Sequence, residues 1–263
     1  MDKFKKICKN IKFLKIQGAT NVAKAAIEAY LLKPSKRSKK ILISLRPTEP
    51  LLINSLNLIK KYGQDKILEH FQNSQNKINT LVFKIIKNNS TIFTHCHSST
   101  VSKSLIYAKK QGKKFQVYNT ETRPLYQGRI TAGELAKAKI KVTTFVDSAM
   151  HEAIEKSNIV LIGADAIIKS GVINKIGSTA IAEISKVHKK PLYIILDSWK
   201  FYSKNIKIEN RSSSEVWQNP PKNIKIENPV FEKIPSKYIR AVISEFGILN
   251  HNQFIKKAKK IKF

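Results

Sequence analysis

Only two cysteines, Cys8 and Cys96, occur in 263 residues, so no disulfide framework can be built. The opening stretch MDKFKKICKNIKFLKIQGATN lacks an apolar core ahead of a small-residue cleavage site, and the expectation is a reduced, cytoplasmic protein. No run approaches the ~18 uninterrupted apolar residues of a membrane helix, which argues against a membrane partner. Acidic residues are scarce, 18 Asp+Glu against 49 Lys+Arg. The resulting formal charge of +31 favours anionic partners such as nucleic acid or phosphorylated ligands. That charge is spread, at +14 over residues 1–90, +9 over 91–200 and +8 over 201–263. There is no basic tail and no zinc-finger, RNP or KH pattern, so nucleic acid is a partner that the charge permits and no motif supports. The G-x-G-x-x-G and P-loop patterns are missing too, which leaves nucleotide binding unsupported. With neither Cys-x-x-Cys nor His-Glu-x-x-His present, no metal and no cofactor is expected.

What is present divides into two compositional regimes. Phe4, Ile7, Ile11 and Leu14 recur at helical spacing, and Ala23, Ala25, Ala26 and Ala29 favour helix further on, with Gly18 interrupting. The stretch KPSKRSKK from Lys33 reads as a loop, and Pro47 and Pro50 lead into a helical region over about 51–88. From Thr91 the short apolar runs TIFTH, FQVYN, VTTFV, NIVLI and LYIIL alternate with helix-like segments. The expected fold is therefore α/β: a small N-terminal helical domain, residues 1–88, then a Rossmann-like domain with a parallel sheet, residues 89–263.

Polar residues follow each apolar run at once: His95 and Cys96, Glu121, Asp147, Asp165 and Asp197. Ligands of doubly wound sheets bind beyond the carboxyl ends of the strands, so these positions are expected to converge. Cys96 stands where a strand gives way to Ser98, Ser99 and Thr100 at a helix start, where free N–H groups suit a thiolate or a phosphate; a small buried hydrophobe is the plainer reading. His95 and His97 flank it, but an extended strand turns Cys96 away from both. Asp165, in LIGADAII, lies in an apolar setting that would raise its pKa and ready it as a general acid, or it caps a neighbouring helix. Asp147 reads as such a cap. GVINKIGSTAIAE offers Asn174, Lys175 and a helix start as a phosphate cradle, Lys200 in DSWKF offers a further cation, and Arg123 reads as structural, paired with an acid such as Glu121.

Taken in order, THCHSSTVSKSL, NTETRPLYQGRITAGELA, LIGADAIIKSGVINKIGSTAIA, ILDSWKF and IENPVFEKIPSKYIRAVISEFG resemble the blocks of the initiation-factor-2B-like family over about residues 88–250. Before that only IQGATNVAKAA and SLRPTEP look related. The family holds ribose-1,5-bisphosphate isomerases, methylthioribose-1-phosphate isomerases and regulatory subunits of a guanine-nucleotide exchange factor. NPVFEKIPSKYI looks most like the first branch, of archaeal type.

The resemblance implies an isomerase of phosphorylated pentoses, with Cys96 and Asp165 as proton-transfer pair. It places substrate binding on Gln17, Gly18, Ala19, Arg46, Ser98, Ser99, Thr100, Asn174, Lys175 and Lys200. It further implies a homo-oligomer, dimer or hexamer, with AMP as candidate activator. The alternatives it carries are a non-catalytic initiation-factor-2B-like subunit and a methylthioribose-1-phosphate isomerase. Gln17 departs from the family, whose isomerases typically read Arg-Gly-Ala-Gly there; a glutamine cannot reproduce the forked, charged grip of a guanidinium on phosphate.

Overall fold

The computed structural model describes residues 2–204, 206, 208 and 210–263. Four helices open the chain: α1 (Lys3–Lys12), α2 (Ala19–Leu32), α3 (Lys36–Leu45) and α4 (Pro50–Ile85). The expected break near Gly18 is real. Asp2 caps α1 on the Phe4 N–H, Leu14 turns the chain left-handed at φ 57°, and Gly18 at φ 83° leads into α2. The loop expected from Lys33 is shorter than its composition suggests, because Ser35 accepts from the Ser38 N–H and starts α3. The basic residues of that stretch line the outer side of an amphipathic helix whose Leu42 is buried. Within α4, Gly63 departs from helical geometry at φ 73° and ψ 171°, and the helix bends there.

The remainder alternates as its apolar runs imply. In order come β1 (Ser90–Thr94), α5 (Ser99–Lys110), β2 (Phe115–Thr120), α6 (Gln127–Lys137), β3 (Lys141–Phe145), α7 (Met150–Glu155) and β4 (Ile159–Ile162). An antiparallel hairpin, β5 (Ala166–Ile168) and β6 (Gly171–Lys175), then precedes α8 (Ser178–Val187) and β7 (Leu192–Ile195). Last are β8 (Phe231–Pro235), β9 (Ala241–Ser244), β10 (Gly247–Leu249) and α9 (His251–Ala258). The main sheet runs β10-β9-β7-β4-β1-β2-β3, parallel except for the β10 edge, while β5, β6 and β8 form a separate small antiparallel sheet. The GVINK segment, read as a turn and cradle, is thus largely a strand. Gly171 closes its hairpin at φ 153°, where a Cβ would lie 2.2 Å from the Ile234 carbonyl oxygen.

The α4 helix joins both regimes. Leu51, Leu52, Leu56, Ile67 and Phe71 pack with α1, α2 and Trp199, whereas Ile78 and Val82 pack against Ile92 of β1 and Leu105 of α5. Polar contacts reinforce this seam. The buried Asn54 amide donates to the Trp199 and Phe201 carbonyls at 2.7 and 2.9 Å, fixing the turn after β7. His70 stacks on Trp199 with centroids 3.9 Å apart and bonds the Asp197 carboxylate at 3.1 Å. Burial pulls the His70 pKa down, but its Asp197 hydrogen bond and charge more than offset that, and the net direction is up. Among the described residues, no helix is long and apolar enough to cross a membrane.

Replacing Asn54 with Leu strands two buried carbonyls without their donor. The expected loss is about 2–3 kcal/mol of stability, read as a lowered denaturation midpoint.

Candidate functional site

β1 and β4 lie side by side at the sheet centre, and the chain leaves them in opposite directions, β1 toward β2 and β4 toward β7. This is the topological switch point, where the strand ends splay and open a crevice. The segment following β1 carries Cys96 into that crevice, and the segment following β4 carries Asp165. The two approach closely because residue 163 is glycine: a Cβ there would lie 2.5 Å from Ser98 Oγ.

Cys96 adopts φ 61°, a left-handed conformation costly for a residue with a Cβ. Two threonines hold it there. Its N–H donates to Thr122 Oγ1 at 3.0 Å, and its carbonyl accepts from Thr131 Oγ1 at 2.9 Å. Neither threonine was singled out from sequence; both lie in the block from Asn119 to Ala136, but nothing in their spacing tells of this bond. His95 is fully enclosed, its Nε2 bonded to the Ile176 carbonyl at 3.0 Å and its Nδ1 facing Thr120 Oγ1 at 2.5 Å. Nε2 therefore carries the proton, and burial lowers the imidazole pKa to about 4. His97 bonds Thr131 Oγ1 at 3.1 Å. Its Nε2 lies 3.9 Å from the Glu134 carboxylate, so the two histidines that flank Cys96 bond different partners.

The expected thiolate at Cys96 is not what the surroundings favour. Burial pushes the thiol up to about 11, against the opposing pull of the Lys175 ammonium. A backbone hydrogen bond from His97 pulls the same way as Lys175, yet burial outweighs both. Asp165 behaves as expected. Burial and the Glu49 carboxylate push it up to about 6, while Lys200, Arg46 and Lys175 pull the other way. Its backbone N–H donates to the Ile173 carbonyl at 2.9 Å, which ties it to the small sheet.

The same cavity is walled by Gln17, Gly18 and Ala19 from the entry to α2, and by Ser98 and Ser99 at the start of α5. Arg46, Asn174, Lys175 and Lys200 also line it, so nearly every residue implied by resemblance is brought together. Lys200 is buried and donates to the Ala164 carbonyl at 2.6 Å; burial lowers its pKa, opposed by Asp165, Asp197 and Glu49. Arg46 is ion-paired with buried Glu49. Sequence reading missed two cavity residues that carry charge, Glu49 and Arg211. The position of Glu49 three residues after Arg46 was the available signal; Arg211, far along an irregular stretch, offered none.

Other residues fall elsewhere. Thr100 is buried within α5 and does not line the cavity; its carbonyl accepts from Ser104 Oγ. Glu121 pairs with Arg129 at 2.8 Å rather than with Arg123, which bonds Tyr126 Oη and the Val216 carbonyl. Asp147 is no simple helix cap, since its carboxylate accepts the N–H groups of Thr122 and Arg123 and so braces the loop behind Cys96. Asp197 caps the Trp199 turn and pairs with His70. The α8 start is partly spent as well, since the Thr179 N–H donates to Glu232 at 2.9 Å.

The described residues form an α/β protein with a cationic cavity at the switch point, lined by a thiol and an easily protonated carboxyl group. The chain belongs to the Initiation factor 2 subunit family, whose sequence profile matches residues 25–251. It is 36% identical to a ribose 1,5-bisphosphate isomerase of Methanocaldococcus jannaschii, over 95% of this chain and 92% of that protein. It is 30% identical to a methylthioribose-1-phosphate isomerase of Thermosipho africanus, over 94% and 86% respectively. Among solved structures it resembles the translation initiation factor eIF-2B of Pyrococcus horikoshii, with a TM-score of 0.85, 25% identity, and 95% and 98% of the two chains covered.

Asp165 binds its proton more tightly folded than unfolded, so stability falls as pH rises from about 4 to about 6 and stays lower above. Asp165→Asn removes that penalty. At pH 7.5 the variant is expected to be more stable than the parent, by on the order of 1–3 kcal/mol, with the gap closing below about pH 4 in paired denaturant titrations.

Proposed function

We propose that this protein is a sugar-phosphate isomerase that converts ribose 1,5-bisphosphate to ribulose 1,5-bisphosphate, with Cys96 and Asp165 as the proton-transfer pair. The observation that carries the reading is that a thiol and a carboxyl group of raised pKa share one cationic cavity at the switch point. The 36% identity to a protein named for this activity supports it.

The chemistry asks for such a pair. The 1-phosphate blocks the anomeric oxygen, so ring opening needs a proton on the ring oxygen, which neutral Asp165 supplies. Cys96 as thiolate takes the proton from C2, giving an enol phosphate. Cys96 then returns a proton to C1 while the Asp165 carboxylate takes the one on the C2 hydroxyl, leaving the ketone. Both groups end as they began. The protein surroundings by themselves favour the opposite form, with the thiol protonated and the carboxylate largely ionised at neutral pH. Both forms hold one proton, so the pair needs a proton moved within it, not one gained. Entry of a dianionic phosphate raises the Asp165 pKa further and favours its neutral form. Arg46, Lys175 and Lys200, with Ser98 and Ser99, hold the phosphates and exclude water.

The reading extends to a cytoplasmic homo-oligomer, dimer or hexamer, acting in nucleoside or AMP breakdown with AMP as activator. A second reading, a non-catalytic initiation-factor-2B-like subunit, is favoured by Gln17, which leaves the α2 wall of the cavity without a cation.

Purified protein incubated with α-ribose 1,5-bisphosphate, with and without AMP, is expected to yield ribulose 1,5-bisphosphate. Cys96→Ser and Asp165→Asn should each cut turnover by at least about 10³-fold, with thermal melting still cooperative. Tight substrate binding without product in the parent protein would favour the second reading. Turnover of 5-methylthioribose 1-phosphate alone would move the assignment to that sugar.

A further inference from the structure

The long connection between β7 and β8 brings one guanidinium, that of Arg211, to the cavity wall. The backbone there is fixed. Asn210 bridges to Pro229, and the Arg211 N–H donates to the Asn228 carbonyl at 3.1 Å. The Asn228 side chain, itself buried, donates to the Ser212 carbonyl at 2.9 Å and to the Glu215 carboxylate at 3.1 Å, which pins the residues just beyond Arg211. Arg123 ties the same connection to the loop behind Cys96 through the Val216 carbonyl. Val230 and Phe231, which close this stretch, also line the cavity.

Four cations and two carboxylates, Glu49 and Asp165, line the cavity among the described residues. Arg46 is held by Glu49, and Lys200 by the Ala164 carbonyl and the nearby Asp165. Arg211 lines the same cavity and stands close enough to Lys175 to help depress the Lys175 pKa, after burial, which is the larger cause. Two like charges on a sheltered wall repel, and a dianion between them turns that repulsion into attraction. A guanidinium can fork across two phosphate oxygens, while an ammonium acts as a point charge.

We propose that Arg211, acting with Lys175, grips one phosphate of a bisphosphorylated substrate and so supplies the guanidinium that the Gln17 wall lacks. The proposal rests on the bisphosphate reading above and makes the β7–β8 connection a determinant of substrate affinity, not of chemistry. Two measurements separate the two ideas: kinetics with ribose 1,5-bisphosphate, and calorimetric binding of inorganic pyrophosphate, each on the parent protein, Arg211→Met and Arg211→Lys. The expected result for Arg211→Met is a KM raised about 10–100-fold with kcat within about threefold, pyrophosphate affinity reduced by a similar factor, and partial recovery in Arg211→Lys. Melting curves on all three proteins check that the fold is kept; a variant that fails to fold is replaced by Arg211→Gln. Unchanged KM and unchanged pyrophosphate affinity in the variants, or no pyrophosphate binding by the parent protein, would overturn the proposal. A parent protein that binds pyrophosphate through Arg211 yet does not isomerise the sugar would instead overturn the reaction assignment and leave the phosphate grip standing.

Discussion

Enclosed charges have to be matched by other charges or by hydrogen bonds, and that requirement organises the centre of this molecule. Glu49, Arg46, Asp165, Lys200 and Lys175 meet where β1 and β4 end, and none belongs to the same element as Cys96. Arg46 ends α3, Glu49 precedes α4, Lys175 closes β6, and Lys200 sits in the turn after β7. The N-terminal helices therefore complete the electrostatics of a cavity that the sheet alone would leave open. Remove the Arg46–Glu49 pair, and both the balance around Asp165 and the wall that shields it are lost.

The parts of the fold remote from the cavity make sense as supports for it. Asn54 holds the Trp199 turn through two carbonyls, His70 stacks on that tryptophan, and the His70–Asp197 ion pair joins α4 to the end of β7. Each contact fixes the backbone from which Lys200 reaches Ala164. On the other flank Thr122, Thr131 and Asp147 hold the left-handed turn at Cys96 and the loop behind it. A strained backbone persists only where its neighbours over-determine it, and here two threonine hydroxyls and a carboxylate do so.

Most of the main sheet was legible in the sequence because β1, β2, β3, β4 and β7 fall on short apolar runs bounded by polar residues, whereas β9 and β10 were not read as strands. The principle that doubly wound sheets bind ligands at strand ends then placed Cys96 and Asp165 together. The same principle over-reached with Glu121, Asp147 and Asp197, because a carboxyl-end position does not say which way the chain turns next. The small sheet was not legible: β5 and β6 are short and follow a glycine that reads equally well as a turn. The Cys96 thiol was misjudged because local helix-start donors are visible in sequence, whereas its burial in a cavity lined also by the entry to α2, the turn after β4 and the β7–β8 connection is not. Arg211 illustrates the same limit, being one basic residue among 49 until the fold brings it beside Lys175.

A buried pair that holds a single proton suits an isomerisation in a way it would not suit a hydrolysis. The reaction moves hydrogen between carbons and between oxygens of one molecule and consumes no co-reactant, so acid and base must be restored within each turnover. Burial shelters both the thiol and the carboxyl from bulk water, and on the proposed reading each trades its proton with the substrate instead. On the proposed reading, phosphate charge beside Asp165 would raise the carboxyl, contact with Lys175 would steady the thiolate, and the cations of α3, β6 and the β7–β8 connection would bring that charge in.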